Sequence, residues 1–137
     1  MNILLSIRPE FAEAILSHRK KYEFRKRRPK VHVRNQKAYI YSTSPVCKIV
    51  ASFRMTSILE SHPRTLWRKF GKTSGIDARK FSEYFGARKT GYAIEIRSLK
   101  TFKPPIEPKK LFENFVAPQS FMYVPLSWES SLPNDRF

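Results

Sequence analysis

The sequence predicts a single α+β domain: a small, curved, mixed β-sheet flanked by short helices. Three observations predict it. The chain has 137 residues, the size of one domain, and folding at that size buries roughly two-thirds of the unfolded surface, enough for one core. Hydrophobic residues make up 41% and aromatic residues 14%, which argues against disorder. The apolar patterns run strand, helix, three strands, two helices, strand and an irregular end. Strands and helices do not alternate, which argues against a doubly wound parallel sheet.

Asn2–Ile7 is a short apolar run suited to a buried strand. Pro9 fits the first turn of a helix, with Glu10 near its positive end. Phe11, Ala12, Ala14, Ile15 and Leu16 supply that helix's apolar face. Residues 20–27 alternate, with Tyr22 and Phe24 predicted inward and Glu23 and Arg25 predicted toward a groove or solvent. By that alternation Lys20 leaves the Glu23 face, so joint action of the two needs a bend at the strand start. Residues 28–34 form a basic loop containing Pro29. Strands follow at 38–43 and 47–55, separated by a break at Ser44-Pro45.

A helix begins near Pro63, carries Leu66, Trp67 and Phe70, and stops at Gly71. The next has Asp77 as N-cap, Ile76 placed to staple onto Phe81, a stripe of Tyr84 and Phe85, and Gly86 as its end. Both aromatic stripes have the spacing of ordinary amphipathic helices, so they are read as core. Residues 92–99 alternate as a strand, Pro104, Pro105 and Pro108 mark a loop, and 109–115 holds about one helical turn. Residues 118–123 form a closing strand. The domain is assigned to 1–124 and a turn-rich C-terminal tail to 125–137.

The charge is the strongest functional signal. Lys and Arg number 27 against 11 Asp and Glu, a formal net charge of +16. A small soluble domain typically carries about 2–8 units, and self-repulsion beyond that favours a polyanionic partner. Nucleic acid comes first and an anionic membrane surface second. Half of the net charge lies between His18 and Arg34, where Glu23 is the one acid among nine cations. Cys47 is the single cysteine, so a disulfide framework and a cysteine zinc site are excluded. His18, His32 and His62 show no metal-ligand spacing. No apolar run is long enough for a membrane span, and the apolar residues before Arg8-Pro9 are too few for a signal peptide. A reduced, cytoplasmic setting is expected, with no cofactor.

Several motifs in this order resemble the ASCH domain family. They are Ile7-Arg8-Pro9, a short helix, Ser17-x-x-Lys20-x-x-Glu23-x-Arg25, Tyr41-x-x-Ser44-Pro45 and Gly91-Tyr92-Ala93-Ile94. His18 and Arg19 stand at the bend where the family often has Gly. The resemblance implies a small PUA-like mixed β-barrel flanked by short helices, with a cleft beside the first helix. It implies binding of RNA in preference to DNA, with regulatory use or recognition of a modified base, and no membrane role. It also admits a small hydrolase acting on RNA or a modified nucleoside, since ribonucleases and an amidohydrolase resemble this family. In the amidohydrolase a threonine stands where this chain has Glu23, so amide hydrolysis would need another nucleophile.

The candidate nucleic-acid-binding residues are Arg8, Lys20, Lys21, Glu23, Arg25, Arg27, Arg28, Lys30, Ser42 and Ser44. If the protein is an enzyme, Lys20 and Glu23 are the catalytic candidates. Clustered cations make a phosphate track, and a lone carboxylate among them can accept from a base edge or act as a base. For Glu23 the plain alternative is a surface ion pair with Lys21 or Arg25. For Ser42, Thr43 and Ser44 it is an ordinary turn. Arg8 is either a ligand contact or a partner of Glu23, and Gln119 and Phe121 are further candidates for the cleft lining. Nothing pairs a Ser or Cys with a His, and binding is preferred to catalysis.

Overall fold

The structure, a computed structural model, describes residues 1–30 and 36–132. Six strands form one sheet: β1 (Asn2–Ile7), β2 (Tyr22–Arg25), β3 (Gln36–Ser42), β4 (Lys48–Ser61), β5 (Gly91–Ile106) and β6 (Phe121–Val124). Their order across the sheet is β2-β5-β4-β3-β1-β6. Strands β1 and β3 pair in parallel and the other neighbours are antiparallel. The sheet curls into a half-barrel, so the predicted mixed sheet with flanking helices is what forms. The helices are α1 (Pro9–Leu16), α2 (Pro63–Phe70), α3 (Ala78–Phe85) and α4 (Trp128–Ser131).

Strand β1 sits inside the sheet, and its near-continuous apolar run is buried on both faces. Ile3, Leu5 and Ile7 face α1 in one core, with Ala38, Ile40, Phe53 and Ile94. Leu4 faces the other way, into a second core with Tyr39, Tyr41, Ile49 and Phe102. Trp128, within the segment read as a tail, is 3% exposed and packs on Tyr39 in that second core. A third cluster joins Phe24 to Leu66, Phe81 and Phe85, fixing α2 and α3 to the β2 edge of the sheet.

The helix ends follow their sequence signals. Asp77 caps α3 by accepting from the Lys80 N–H, and Gly71 and Gly86 follow the last residues of α2 and α3. Two strands are longer than predicted. β4 runs on to Ser61, pairing with the start of β5 across three register shifts that break the simple alternation. β5 continues through Pro104 and Pro105, which the sequence places in a loop. β2 pairs with residues 92–95 of β5. The far part of β5 therefore extends past β2, on a side where proline's missing N–H costs no ladder bond. The basic loop's residues 31–35, with His32 and Arg34, lie outside the described residues.

Candidate functional site

The site begins where α1 ends. His18 adopts a left-handed backbone, φ 65°, and the N–H groups of Arg19 and Lys20 both donate to the Ala14 carbonyl at 3.0 Å. The Lys21 N–H then donates to Thr73 O at 2.7 Å, and β2 starts only at Tyr22. This is the bend that joint action of Lys20 and Glu23 requires. It puts Lys20 outside the strand's alternation, on the same side as Glu23.

Lys20 is 3% exposed, and Glu23 and Arg25 are 8% exposed each. Of the two expectations for the Glu23 row, groove or solvent, the structure has the groove: β2 is buried on both faces. Phe24 packs edge-on against Phe81, at 4.9 Å between ring centres, while Glu23 and Arg25 form the floor of a cleft. Lys20 Nζ lies 3.2 Å from Glu23 Oε1 and donates to the Ser74 carbonyl at 2.5 Å. Arg25 donates from Nε and Nη2 to Glu23 Oε2, at 3.1 and 2.8 Å. Its remaining donors reach Ser6 O at 2.9 Å, Ser120 O at 3.3 Å and Ser120 Oγ at 3.1 Å.

Donor counting separates the three roles. A guanidinium has five N–H donors, and Arg25 uses all of them within the protein. Lys20 uses two of its three among the described residues. The Glu23 oxygen Oε1 accepts from Lys20 and keeps a lone pair, whereas Oε2 accepts twice from Arg25. Burial acts to raise the Glu23 pKa. The charges of Lys20 and Arg25, with their hydrogen bonds, outweigh it and hold the carboxyl below its ordinary value. Glu23 is thus an ionised acceptor and a weak base.

The cleft encloses about 920 Å³. One wall comes from Ser6 and Ile7 at the end of β1, Arg8 and Phe11 of the α1 turn, and Thr43, Gln119 and Ser120. The other comes from Lys26 and Arg27 after β2, from Ile76, and from Lys80, Glu83, Tyr84 and Arg88 in and after α3. Lys26 is tied to α3 twice: its N–H donates to Tyr84 Oη at 3.1 Å, and its ammonium lies 4.7 Å from the Tyr84 ring centre. The Phe11 ring centre lies 5.6 Å from Lys20 Nζ and 5.7 Å from Lys80 Nζ, within cation–π range of both. Among the described residues, no group of three or more His, Cys, Asp or Glu side chains could hold a metal ion.

Five of the sequence candidates meet in this cleft: Arg8, Lys20, Glu23, Arg25 and Arg27. The other five do not line it. Lys21 is exposed beyond the bend, and Arg28 and Lys30 are exposed further along the loop. Ser42 is buried within β3, and Ser44 is exposed in the turn after it. The hydroxyl residue that does line the cleft is Thr43, between them. Gln119 lines it as well, whereas Phe121 packs against the first core. The sequence reading missed Lys26, Lys80, Glu83, Tyr84, Arg88 and Ser120. Part of that set was detectable: Lys80, Glu83 and Tyr84 stand three and four residues apart and mark one side of α3.

The comparisons bear on the family and the fold. The ASCH domain family model matches residues 5–106. A curated protein of Zymomonas mobilis called "ASCH domain-containing ribonuclease" is 28% identical over 123 residues, covering 88% of this chain and 82% of that protein. The crystal structure of ASCH from Zymomonas mobilis superposes with a TM-score of 0.87 at 27% identity, covering 95% of this chain and 92% of that one. The ATP synthase subunit alpha of Ureaplasma parvum is 31% identical over 123 residues, 89% of this chain but only 15% of that protein. With most of its length matched and the same fold, this chain belongs to the ASCH domain family.

Proposed function

We propose that this chain binds single-stranded RNA and seats one unpaired nucleotide in the cleft above Glu23. The observation that carries this reading is the zoning of charge. Arg8, Lys26, Arg27, Lys80 and Arg88 line the walls against one acid there, Glu83, and cations so placed attract phosphates. The floor presents the remaining lone pair of Glu23 beside the remaining N–H of Lys20. An ionised carboxylate repels phosphate and accepts from the N–H of a base or from a ribose hydroxyl. The 2′-hydroxyl is the group that distinguishes RNA from DNA. Unpaired bases also stack on aromatic rings, and Phe11 offers such a ring in the same cleft.

Fluorescence anisotropy with a labelled RNA oligonucleotide, the matching DNA and an RNA duplex tests the proposal. Tightest binding is expected for single-stranded RNA, with at least tenfold loss in the Arg8→Gln/Arg27→Gln/Arg88→Gln variant. Unchanged affinity in that variant would overturn the cleft assignment.

A second reading, hydrolysis of the bound strand, is favoured by the ribonuclease name of the Zymomonas mobilis relative. The low basicity of Glu23 suits it to hold a substrate rather than to take up a proton. Gel electrophoresis of the same mixtures, with and without chelator, separates the two. Intact RNA supports binding alone, and shortened products support hydrolysis.

A further inference from the structure

The sheet face opposite α1 carries a row of cations that the cleft does not use. Lys37 on β3 stands directly opposite Arg54 on β4, and Arg54 stands directly opposite Arg97 on β5. One row over, Tyr39, Ser52 and Lys100 are aligned in the same way. Tyr39 belongs to the second core, so this is the face away from α1.

Like charges directly opposite each other across strands are destabilising, and adjacent strands lie about 4.7–4.9 Å apart. Three cations are therefore held in a line about 10 Å long. A bulge adds the fourth. Between Lys100 and Arg97 three steps of β5 face two steps of β4, from Ser52 to Arg54. Ser98, inside that bulge, is left-handed at φ 53°, a conformation uncommon for serine. Without the extra residue, strict alternation would send Arg97 and Lys100 to opposite faces. With it, both join Arg54 on one face.

Acids touch the row. Glu129 pairs with Lys37 at 3.3 Å, and Glu95 pairs with Arg97. Arg97 is 62% exposed and its partner Glu95 22%, whereas Lys37 is 17% exposed and its partner Glu129 44%. The pair at the exposed Arg97 is of the kind that contributes little, and an arginine can exchange a carboxylate for a phosphate with the same bidentate geometry.

We propose that Lys37, Arg54, Arg97 and Lys100 form a second binding surface for the phosphodiester backbone of RNA, separate from the cleft. A row of point charges with no shaped pocket suits backbone binding without base readout. The row thus adds sequence-independent affinity, whatever the cleft selects.

The test uses Arg54→Gln/Arg97→Gln/Lys100→Gln, alone and combined with the cleft-wall variant. The melting temperature of each variant is measured alongside, because Arg54 and Lys100 both have partners within the protein. RNA affinity at low salt is expected to fall at least tenfold in both backgrounds. The log-affinity against log-salt slope should become shallower by about 0.7 for each phosphate of a single strand that the variant no longer neutralises. Unchanged affinity and slope in both backgrounds would overturn the proposal. Weaker binding by this variant, with full affinity in the cleft-wall variant, would retain this surface and remove the cleft reading. Should the triple variant melt early, Arg97→Glu alone decides, because weaker RNA binding is required at that exposed position. Binding to phosphatidylserine vesicles that this variant abolishes while RNA binding stays intact would also overturn the assignment.

Discussion

Glu23 holds a buried charge only because Lys20 and Arg25 hold it from both sides. Removing one partner of such an arrangement leaves an uncompensated buried charge, which costs about 3–5 kcal/mol. Glu23→Gln is therefore expected to lower unfolding stability at neutral pH by that order in urea denaturation. The pH dependence has a definite sign. The folded-state pKa of Glu23 lies below its ordinary value of 4.5, so its contribution is complete above that value and lost as pH falls toward the folded pKa. The stability gap between wild type and Glu23→Gln should narrow on acidification below about pH 4.5; a gap constant from pH 7 to pH 3 would mean Glu23 is not held ionised by its partners. Its isolation among cations was legible in the sequence. Its pairing with Lys20 was not, because a period-two pattern has no term for the left-handed His18 that breaks it.

The element that sets the site is the connection between α2 and α3. Thr73 and Ser74 give their carbonyls to the Lys21 N–H and Lys20 Nζ, and Gly75 follows at φ +69°. A Cβ at Gly75 would lie 2.8 Å from the Lys20 Cβ, a clash that flexible side-chain ends cannot relieve. Gly75→Ala combines that clash with a strained backbone, and about 1–3 kcal/mol is expected from the strain alone. Calorimetry showing no change would mean the connection does not brace Lys20. On the other face of β2, Phe24→Ala should cost about 3–5 kcal/mol, read as a lowered thermal midpoint, because Phe24 joins the sheet edge to α3. The helices were legible because their end signals are local: Asp77 at the start of α3 and Gly86 at its end act within one turn. The full lengths of β4 and β5 were not, because their pairing is decided by residues some 40 positions apart and by bulges that reset the alternation.

At the scale of the whole molecule, composition and architecture work against each other. A net charge of +16 is spread over a domain whose cleft walls, basic loop and sheet face all carry cations. Self-repulsion of this kind destabilises the compact state and is screened by salt, with a Debye length of about 30 Å at 0.01 M and about 8 Å at 0.15 M. The melting temperature should therefore rise between those two ionic strengths. RNA affinity should fall over the same interval, because each phosphate that is bound releases a counterion whose return salt favours. The two dependences have opposite sign in one buffer series, so a general weakening of the fold cannot produce both. Bound RNA supplies the same neutralisation as salt, so at low ionic strength an RNA oligonucleotide should raise the melting temperature more than it does at 0.15 M. A melting temperature that is flat in salt and unmoved by RNA would mean that ion pairs already balance the surface, and that the charge surplus is not held in readiness for a polyanion.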